Sequence, residues 1–144
     1  MSSMKTLGCG LGVLLMLAAA SVAAQTAPNL TVTVSYKGKG PVDEAHDILV
    51  FLFDHPEPTA SSNPVGLYTV SKNGGTATFT VPREDPVFIV MVYDANGDYD
   101  GRSGPPPPGT PIATYSRAGK PVPVTPGPGV KVTASFDDSK RWNP

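Results

Sequence analysis

The sequence predicts an all-β fold, an antiparallel β-sandwich of about seven short strands. No stretch after residue 24 repeats its apolar residues with a helical period. Short runs instead either alternate between apolar and polar residues or are apolar throughout, as strands do. The 17 prolines and 15 glycines fall largely between these runs, where they supply turns. Together these observations favour two packed sheets over any helical architecture.

The N-terminus is typical of a secretory signal peptide. Lys5 supplies the positive charge, the segment from Leu7 to Ala20 supplies the apolar stretch, and Val22 to Ala24 supplies a small-residue cleavage site. The apolar stretch is shorter than the roughly 20 residues of a membrane span. We therefore expect cleavage of residues 1–24, one domain over residues 25–144 and a periplasmic or secreted location, with no membrane attachment after cleavage.

The single cysteine, Cys9, lies within the predicted signal peptide. It precedes most of the apolar stretch, whereas a lipidated cysteine would follow it. Cleavage leaves no cysteine, which excludes disulfides, thiolate catalysis and cysteine-ligated zinc in the mature chain. The formal net charge of −1 and the lack of a basic run argue against nucleic-acid binding.

Four strands are predicted in the first half of the domain. Residues Leu30 to Lys37 alternate, and residues Asp47 to Asp54 are apolar on both faces. Val65 to Ser71 and Thr76 to Val81 flank Lys72-Asn73-Gly74-Gly75, whose residues suit a tight hairpin. The third and fourth strands are therefore expected to pair with each other.

Three further strands are predicted in the second half. The run from Val87 to Tyr93 is apolar on both faces, Pro111 to Ser116 is short, and Val130 to Phe136 alternates. Between the first two lies a polyproline segment, Gly104 to Gly109. Seven strands at this spacing predict an immunoglobulin-like or prealbumin-like sandwich, with the two doubly apolar strands at its centre.

Part of the chain resembles known exported domains. The hydrophobic and turn pattern from Leu30 to Asp94, including Gly75-Thr-Ala-Thr-Phe-Thr-Val-Pro82, resembles carboxypeptidase regulatory-like, or transthyretin-like, sandwiches. The Asp94-Ala-Asn-Gly97 segment resembles exported bacterial domains of unknown function that carry an Asp-x-Asn-Gly loop after such a strand. These resemblances imply a sandwich fold, export, and a binding or scaffolding role.

An acidic loop follows the second doubly apolar strand and is a candidate calcium site. Asp94, Asn96, Asp98 and Asp100 place oxygen ligands at alternate positions, as calcium sites do. The loop is not an EF-hand, because Tyr99 stands where that motif needs its glycine. The alternative is that these residues build turns and keep the surface soluble.

The sequence predicts no enzyme. His46 and His55 flank the second strand and should lie about 30 Å apart, so they cannot share a metal or substrate. This spacing excludes the two-histidine iron site of intradiol dioxygenases, which use a similar sandwich. The Tyr-Arg-Gly-Ser end of transthyretin-like hydrolases is absent from Ser139 to Pro144, and there is no Gly-x-Ser-x-Gly elbow. An unrecognised carboxylate site in the acidic loop is the remaining enzymatic alternative.

Both doubly apolar strands need a second cover. Only one face of each can point into the core between the sheets, so the other face would expose a large apolar patch. The proline-rich connections between Gly101 and Gly129 are the expected cover, and a partner protein or domain is the alternative.

Three aromatic residues outside the central strands are candidate ligand contacts. Tyr99, Tyr115 and Trp142 could stack on sugar rings, while Trp142 could instead fold back to seal the end of the sandwich. The sequence therefore predicts a binding or structural module whose partner is a protein or a carbohydrate. Calcium-stabilised and carbohydrate-binding versions are both retained.

Overall fold

The computed structural model describes residues 27–144, so the predicted signal peptide lies outside the described residues. Within residues 27–144 there are nine strands and no helix, and hence no helix that could cross a membrane. The strands are β1 Leu30–Tyr36, β2 Ile48–Phe53, β3 Gly66–Val70, β4 Thr76–Phe79, β5 Phe88–Tyr93, β6 Ile112–Thr114, β7 Ser116–Arg117, β8 Lys120–Pro121 and β9 Lys131–Phe136.

Two sheets form the sandwich. The first has the order β4-β1-β9 and the second the order β3-β2-β5-β6, while β7 and β8 pair as a separate small hairpin. One apolar core lies between the sheets and takes side chains from both of them. Its fully buried members include Leu30, Val32, Val34, Ile48, Val50, Leu52, Ile89 and Met91. The predicted all-β sandwich is confirmed at this level.

The seven predicted strands are all present, with ends that differ from the prediction by at most two residues. The two doubly apolar strands, β2 and β5, lie at the centre of the second sheet and pair with each other. Strands β7 and β8 were not predicted. They have two residues each, and the turn between them uses Ala118 and Gly119 at positive φ.

The prediction of a wholly antiparallel sandwich is wrong at β9. Strand β9 pairs with β1 in parallel, from Thr31 opposite Lys131 to Tyr36 opposite Phe136. The alternation of apolar residues in β1 and β9 reports which face is buried and carries no information on strand direction. Parallel strands cannot be joined by a tight turn, and β1 and β9 are separated by the other seven strands of the described chain.

The predicted β3–β4 hairpin is also wrong. Strand β3 pairs with β2, and β4 pairs with β1, so the chain crosses from one sheet to the other between them. The crossing is held by Asn73, whose side-chain amide accepts a hydrogen bond from the amide of Tyr36 and donates one to its carbonyl, both 2.8 Å long. The Gly74 amide adds a third bond, to the carbonyl of Val34. The turn residues were identified correctly, but they serve a connection between sheets.

A second apolar cluster lies on the outer face of β2 and β5, where other parts of the chain cover it. Its buried members are Leu49, Phe51, Phe53, Val90 and Val92, and Leu67, Tyr99 and Ile112 pack against them. The cover is therefore intramolecular, as predicted, although it comes from more of the chain than the proline-rich connections alone.

Gly101 shows how closely the cover fits. It has φ +77°, and a β-carbon at this position would lie 2.8 Å from Leu49 Cδ2 and 3.0 Å from Leu67 Cδ2. Only glycine meets both the conformational and the steric requirement here.

Candidate functional site

A cleft of about 290 Å³ lies over the outer face of the second sheet, and we call it the outer cleft. Its floor is made by side chains of the second apolar cluster on β2 and β5. Its walls are the loop of residues 58–64, the segment of residues 101–106, and the rings of Tyr99 and Trp142. The cleft thus combines an apolar floor with aromatic and polar walls, which is typical of small-molecule sites.

The position of Trp142 depends on the C-terminal tail. The Trp142 amide donates to the carbonyl of Thr110, and its carbonyl accepts from the amide of Gly109, both at 2.8 Å. The Arg141 guanidinium donates to the Gly109 carbonyl at 2.9 Å. The tail is thereby fixed beside the start of β6, and the half-buried indole forms a wall of the outer cleft.

Tyr99 forms another wall of the cleft. Its hydroxyl donates to the carbonyl of Gly104 at 2.9 Å, and its ring centroid lies 6.4 Å from that of Phe51. Burial, with a smaller contribution from the charge of Asp100, raises the pKa of Tyr99 above its usual value. The ring is held by the cluster beneath it and by the segment that follows.

Tyr115 lies elsewhere. Its side chain packs against the core between the two sheets, and its amide donates to the carbonyl of Ile89 in β5. Of the three aromatic residues predicted to bind a ligand, the structure brings together Tyr99 and Trp142 and leaves Tyr115 outside the outer cleft.

Asp94 organises the acidic loop from within. Its buried carboxylate accepts hydrogen bonds from the amides of Gly97 and Asp98 at one oxygen and from that of Tyr99 at the other, at 3.0, 3.3 and 3.1 Å. Gly97 has a positive φ that closes the turn. Asp94 therefore has the loop backbone as its direct partner.

The other three side chains of the loop that carry candidate oxygen ligands, those of Asn96, Asp98 and Asp100, are exposed. Asp100 accepts hydrogen bonds from the amide of Arg102 and from the hydroxyl and amide of Ser103. These bonds lower the pKa of its carboxyl, with the Arg102 amide as the largest cause and the Ser103 hydroxyl as the next. Across residues 27–144, no three His, Cys, Asp or Glu side chains gather in a group that could hold a metal ion. Calcium binding at this loop stays a prediction, which melting curves in millimolar calcium and in chelator would test.

The two histidines lie at opposite ends of β2, as predicted, and each is paired with an aspartate. His46 Nδ1 lies 2.9 Å from an oxygen of Asp43. Its hydrogen bond, together with backbone amides, lowers the pKa of that carboxyl. The pair closes the turn before β2 and lies away from the outer cleft.

The second pair continues into a third side chain that sequence reasoning missed. His55 Nδ1 lies 2.6 Å from Asp54 Oδ1, and His55 Nε2 lies 2.9 Å from Ser62 Oγ. Ser62 lines the outer cleft. An adjacent Asp-His pair with a serine seven residues later matches no common motif, so the sequence carries no signal for this contact.

The fold and the outer cleft together define a class: an all-β sandwich with a small cleft over one face of its central strands. No protein-family model, no curated protein and no solved structure matches the chain. The resemblance to transthyretin-like and Asp-x-Asn-Gly domains accordingly stays a prediction.

Proposed function

We propose that the protein is an exported binding module that holds a small ligand with a flat apolar face, such as a sugar ring, in the outer cleft. The observation that carries this proposal is the position of Tyr99 and Trp142 in the walls of one cleft, above an apolar floor. Aromatic rings bind the apolar face of a ligand while leaving its polar edge free for hydrogen bonds.

The polar groups of the cleft suit the edge of such a ligand. Ser62, Asn63 and Arg102 line the same cleft and provide a hydroxyl, an amide and a guanidinium. These groups can donate to hydroxyl oxygens, and the first two can also accept from hydroxyl hydrogens. A volume of about 290 Å³ lies at the small end of ligand pockets, which favours one or two rings over a long chain.

Of the two sandwich types that the sequence predicts, we favour the prealbumin-like one. The first two strands of an immunoglobulin sandwich share a sheet. In this chain β1 and β2 belong to different sheets, and the edge strand β4 pairs with β1. Export would give a mature protein that begins at Gln25, which N-terminal sequencing of the exported protein would test.

Trp142 supplies a direct test of ligand binding, because it is the single tryptophan of the chain. We expect its fluorescence to change on titration with a binding mono- or disaccharide from a glycan panel. Tyr99→Ala should weaken that binding, whereas Tyr115→Phe should leave it unchanged because Tyr115 lies outside the cleft.

Unchanged fluorescence and no heat of binding across the panel would overturn the sugar proposal. If titration with small planar aromatic compounds also gave no signal, the outer cleft would be rejected as a binding site for flat ligands in general.

A further inference from the structure

We propose that Ser62, His55 and Asp54 form a nucleophilic triad at the rim of the outer cleft that hydrolyses small carboxylic esters. This activity goes beyond ligand binding and does not require that the cleft bind sugars. It rests on the contacts of three side chains that the chain brings together at the end of β2.

The atoms that meet are those that a serine nucleophile needs. Ser62 Oγ lies 2.9 Å from His55 Nε2, and the other ring nitrogen, Nδ1, lies 2.6 Å from Asp54 Oδ1. Activation of a serine requires a base in hydrogen-bond reach of the hydroxyl and a third group that orients the base. Both requirements are met here by different nitrogens of one imidazole.

The carboxylate of Asp54 fixes the direction of the hydrogen bonds, because it can only accept and His55 Nδ1 must therefore donate to it. The amide of Thr59 lies 2.8 Å from Ser62 Oγ, and an amide can only donate. Ser62 Oγ therefore accepts from Thr59, and its own proton can be donated to His55 Nε2 at 2.9 Å or to Thr59 Oγ1 at 3.3 Å, of which His55 is the nearer. In a neutral His55 ring the Nδ1–H group donates a hydrogen bond to Asp54, so Nε2 carries no proton and accepts the bond from Ser62, which is the tautomer that general-base catalysis needs.

The three side chains lie next to the apolar floor of the outer cleft. The His55 ring lies edge-on to Phe53, with centroids 5.8 Å apart, and Phe53 and Ser62 both line the outer cleft. An acyl group over the apolar floor would thus present its carbonyl carbon near Ser62. A floor of this size favours esters with a short aliphatic or a single-ring acyl group.

The reaction needs only water as a second reactant. Ser62 Oγ attacks the ester carbonyl carbon while its proton passes to His55 Nε2. The carbon–oxygen bond to the alcohol breaks, and the alcohol leaves with that proton, so Ser62 carries the acyl group. Water then attacks the acyl carbon, gives a proton to His55 and releases the carboxylic acid, and His55 returns the proton to Ser62.

Exposure sets the expected speed. The hydrogen bond from His55 lowers the pKa of Asp54, so its carboxylate is ionised at neutral pH. However, the Asp54 side chain is 74% exposed and the His55 side chain 41% exposed, so water competes for both groups. We therefore expect slow turnover of activated esters such as p-nitrophenyl acetate, with a low rate that is still specific to Ser62.

The test uses the mature chain and a fluorophosphonate, a probe that bonds covalently to activated serines. We expect mass spectrometry of the labelled wild-type protein to place the adduct on Ser62. Ser116→Ala is the control, since Ser116 is an exposed serine outside the outer cleft whose hydroxyl donates to the carbonyl of Thr114. It should retain labelling and p-nitrophenyl acetate hydrolysis, and Ser62→Ala should lose both.

His55→Ala should slow labelling on the order of 100-fold or more, as loss of a general base does. Circular dichroism of each variant would check that the sandwich is folded. The proposal fails if folded wild-type protein is not labelled, if the adduct lies on other serines, or if His55→Ala is labelled at the wild-type rate. Labelling at Ser62 without any glycan-induced change in Trp142 fluorescence would support this activity while rejecting sugar binding, and the converse result would do the reverse.

Discussion

The ring of Tyr36 stacks on the ring of Tyr93 across the two sheets, with centroids 4.0 Å apart and planes 20° apart. Tyr36 ends β1 in the first sheet and Tyr93 ends β5 in the second. The ring of Phe136, from β9, lies 5.1 Å from that of Tyr36. Three strands thereby close one end of the core with aromatic rings, directly beside the acidic loop that follows Tyr93.

The first prediction concerns the hydroxyl of Tyr93. It donates a 2.6 Å hydrogen bond to the carbonyl of Pro41, so Tyr93→Phe should lower the free energy of unfolding by about 1–2 kcal/mol. Tyr36→Phe is the matched control, because the Tyr36 hydroxyl lies 3.4 Å from the carbonyl of Lys39 and should contribute less. Urea unfolding of both variants would measure the difference, and equal losses would contradict the ranking.

The first prediction extends to alkaline pH, at which the hydroxyls of the same two tyrosines should make the protein less stable. Burial is the main cause that raises the pKa of both hydroxyls above the usual value. When the pKa of a tyrosine is higher in the folded state than in the unfolded chain, the group contributes to the free energy of unfolding. This contribution is complete at pH values below the unfolded pKa of about 10. The contribution is lost as pH rises from there through the folded pKa. Urea unfolding from about pH 8 to 11 should show this loss, and it should be smaller in the Tyr36→Phe/Tyr93→Phe double variant.

A second prediction concerns the cover of the outer face. Gly101→Ala should destabilise the protein by about 2–4 kcal/mol, since the new methyl group adds overpacking against Leu49 to the cost of a left-handed backbone. Gly119→Ala is the matched control: φ is +76° there and a β-carbon would meet no atom within 4 Å. Gly119→Ala should lower the free energy of unfolding by about 1–2 kcal/mol. Thermal melts of both variants would compare them, and similar losses would show that the close contact at Gly101 relaxes freely.

A third prediction concerns Asp94. Asp94→Ala removes the acceptor of three backbone amides and should cost about 2–3 kcal/mol. Asp98→Ala removes an exposed side chain from the same loop and should change stability by less than about 0.5 kcal/mol. Chemical unfolding in the presence of a chelator measures the loss of these hydrogen bonds to the backbone without any contribution from a bound metal. A large effect of Asp98→Ala under these conditions would indicate a contact that the loop does not show.

The strands were predictable because burial leaves a local mark on the sequence. Residues 48–53 are buried along their whole length, and residues 88–93 are buried except for the half-buried Phe88; both segments are continuous apolar runs. The choice of neighbouring strand, and its direction, leave no such mark on the sequence. Val32 and Val34 occupy the buried face of β1 whether its neighbour runs parallel or antiparallel, and the turn at Asn73 suits a hairpin as well as a crossing between sheets.

The candidate site was only partly predictable for the same reason. Tyr99 and Trp142 were recognisable as exposed aromatic candidates, yet they meet in one cleft only because the tail pairs with Thr110. Ser62 reaches His55 through a tight turn at Thr59, in which the Ser62 hydroxyl accepts a hydrogen bond from the Thr59 amide. These contacts join segments whose spacing in the sequence has no characteristic value.

A fourth prediction concerns the crossing between the sheets. Asn73 makes two 2.8 Å bonds to the backbone of Tyr36, so its amide takes the place of a paired strand residue at the edge of β1. Asn73→Ala should cost about 1–3 kcal/mol, because it leaves the amide and carbonyl of Tyr36 without these partners. Asn73→Asp keeps the acceptor and loses the donor, so its effect should be intermediate.

Asn63→Ala, in an exposed loop at the opposite end of β3, should be close to neutral and serves as the control. Hydrogen exchange of the Tyr36 amide gives a local readout beside global unfolding. Asn73→Ala should speed its exchange through local opening, whereas the exchange of the Val32 amide in mid-strand should speed only by the loss of global stability. Equal exchange of the Tyr36 amide in wild type and Asn73→Ala would mean that the crossing is held by Gly74 and Val34, whose backbones also pair there.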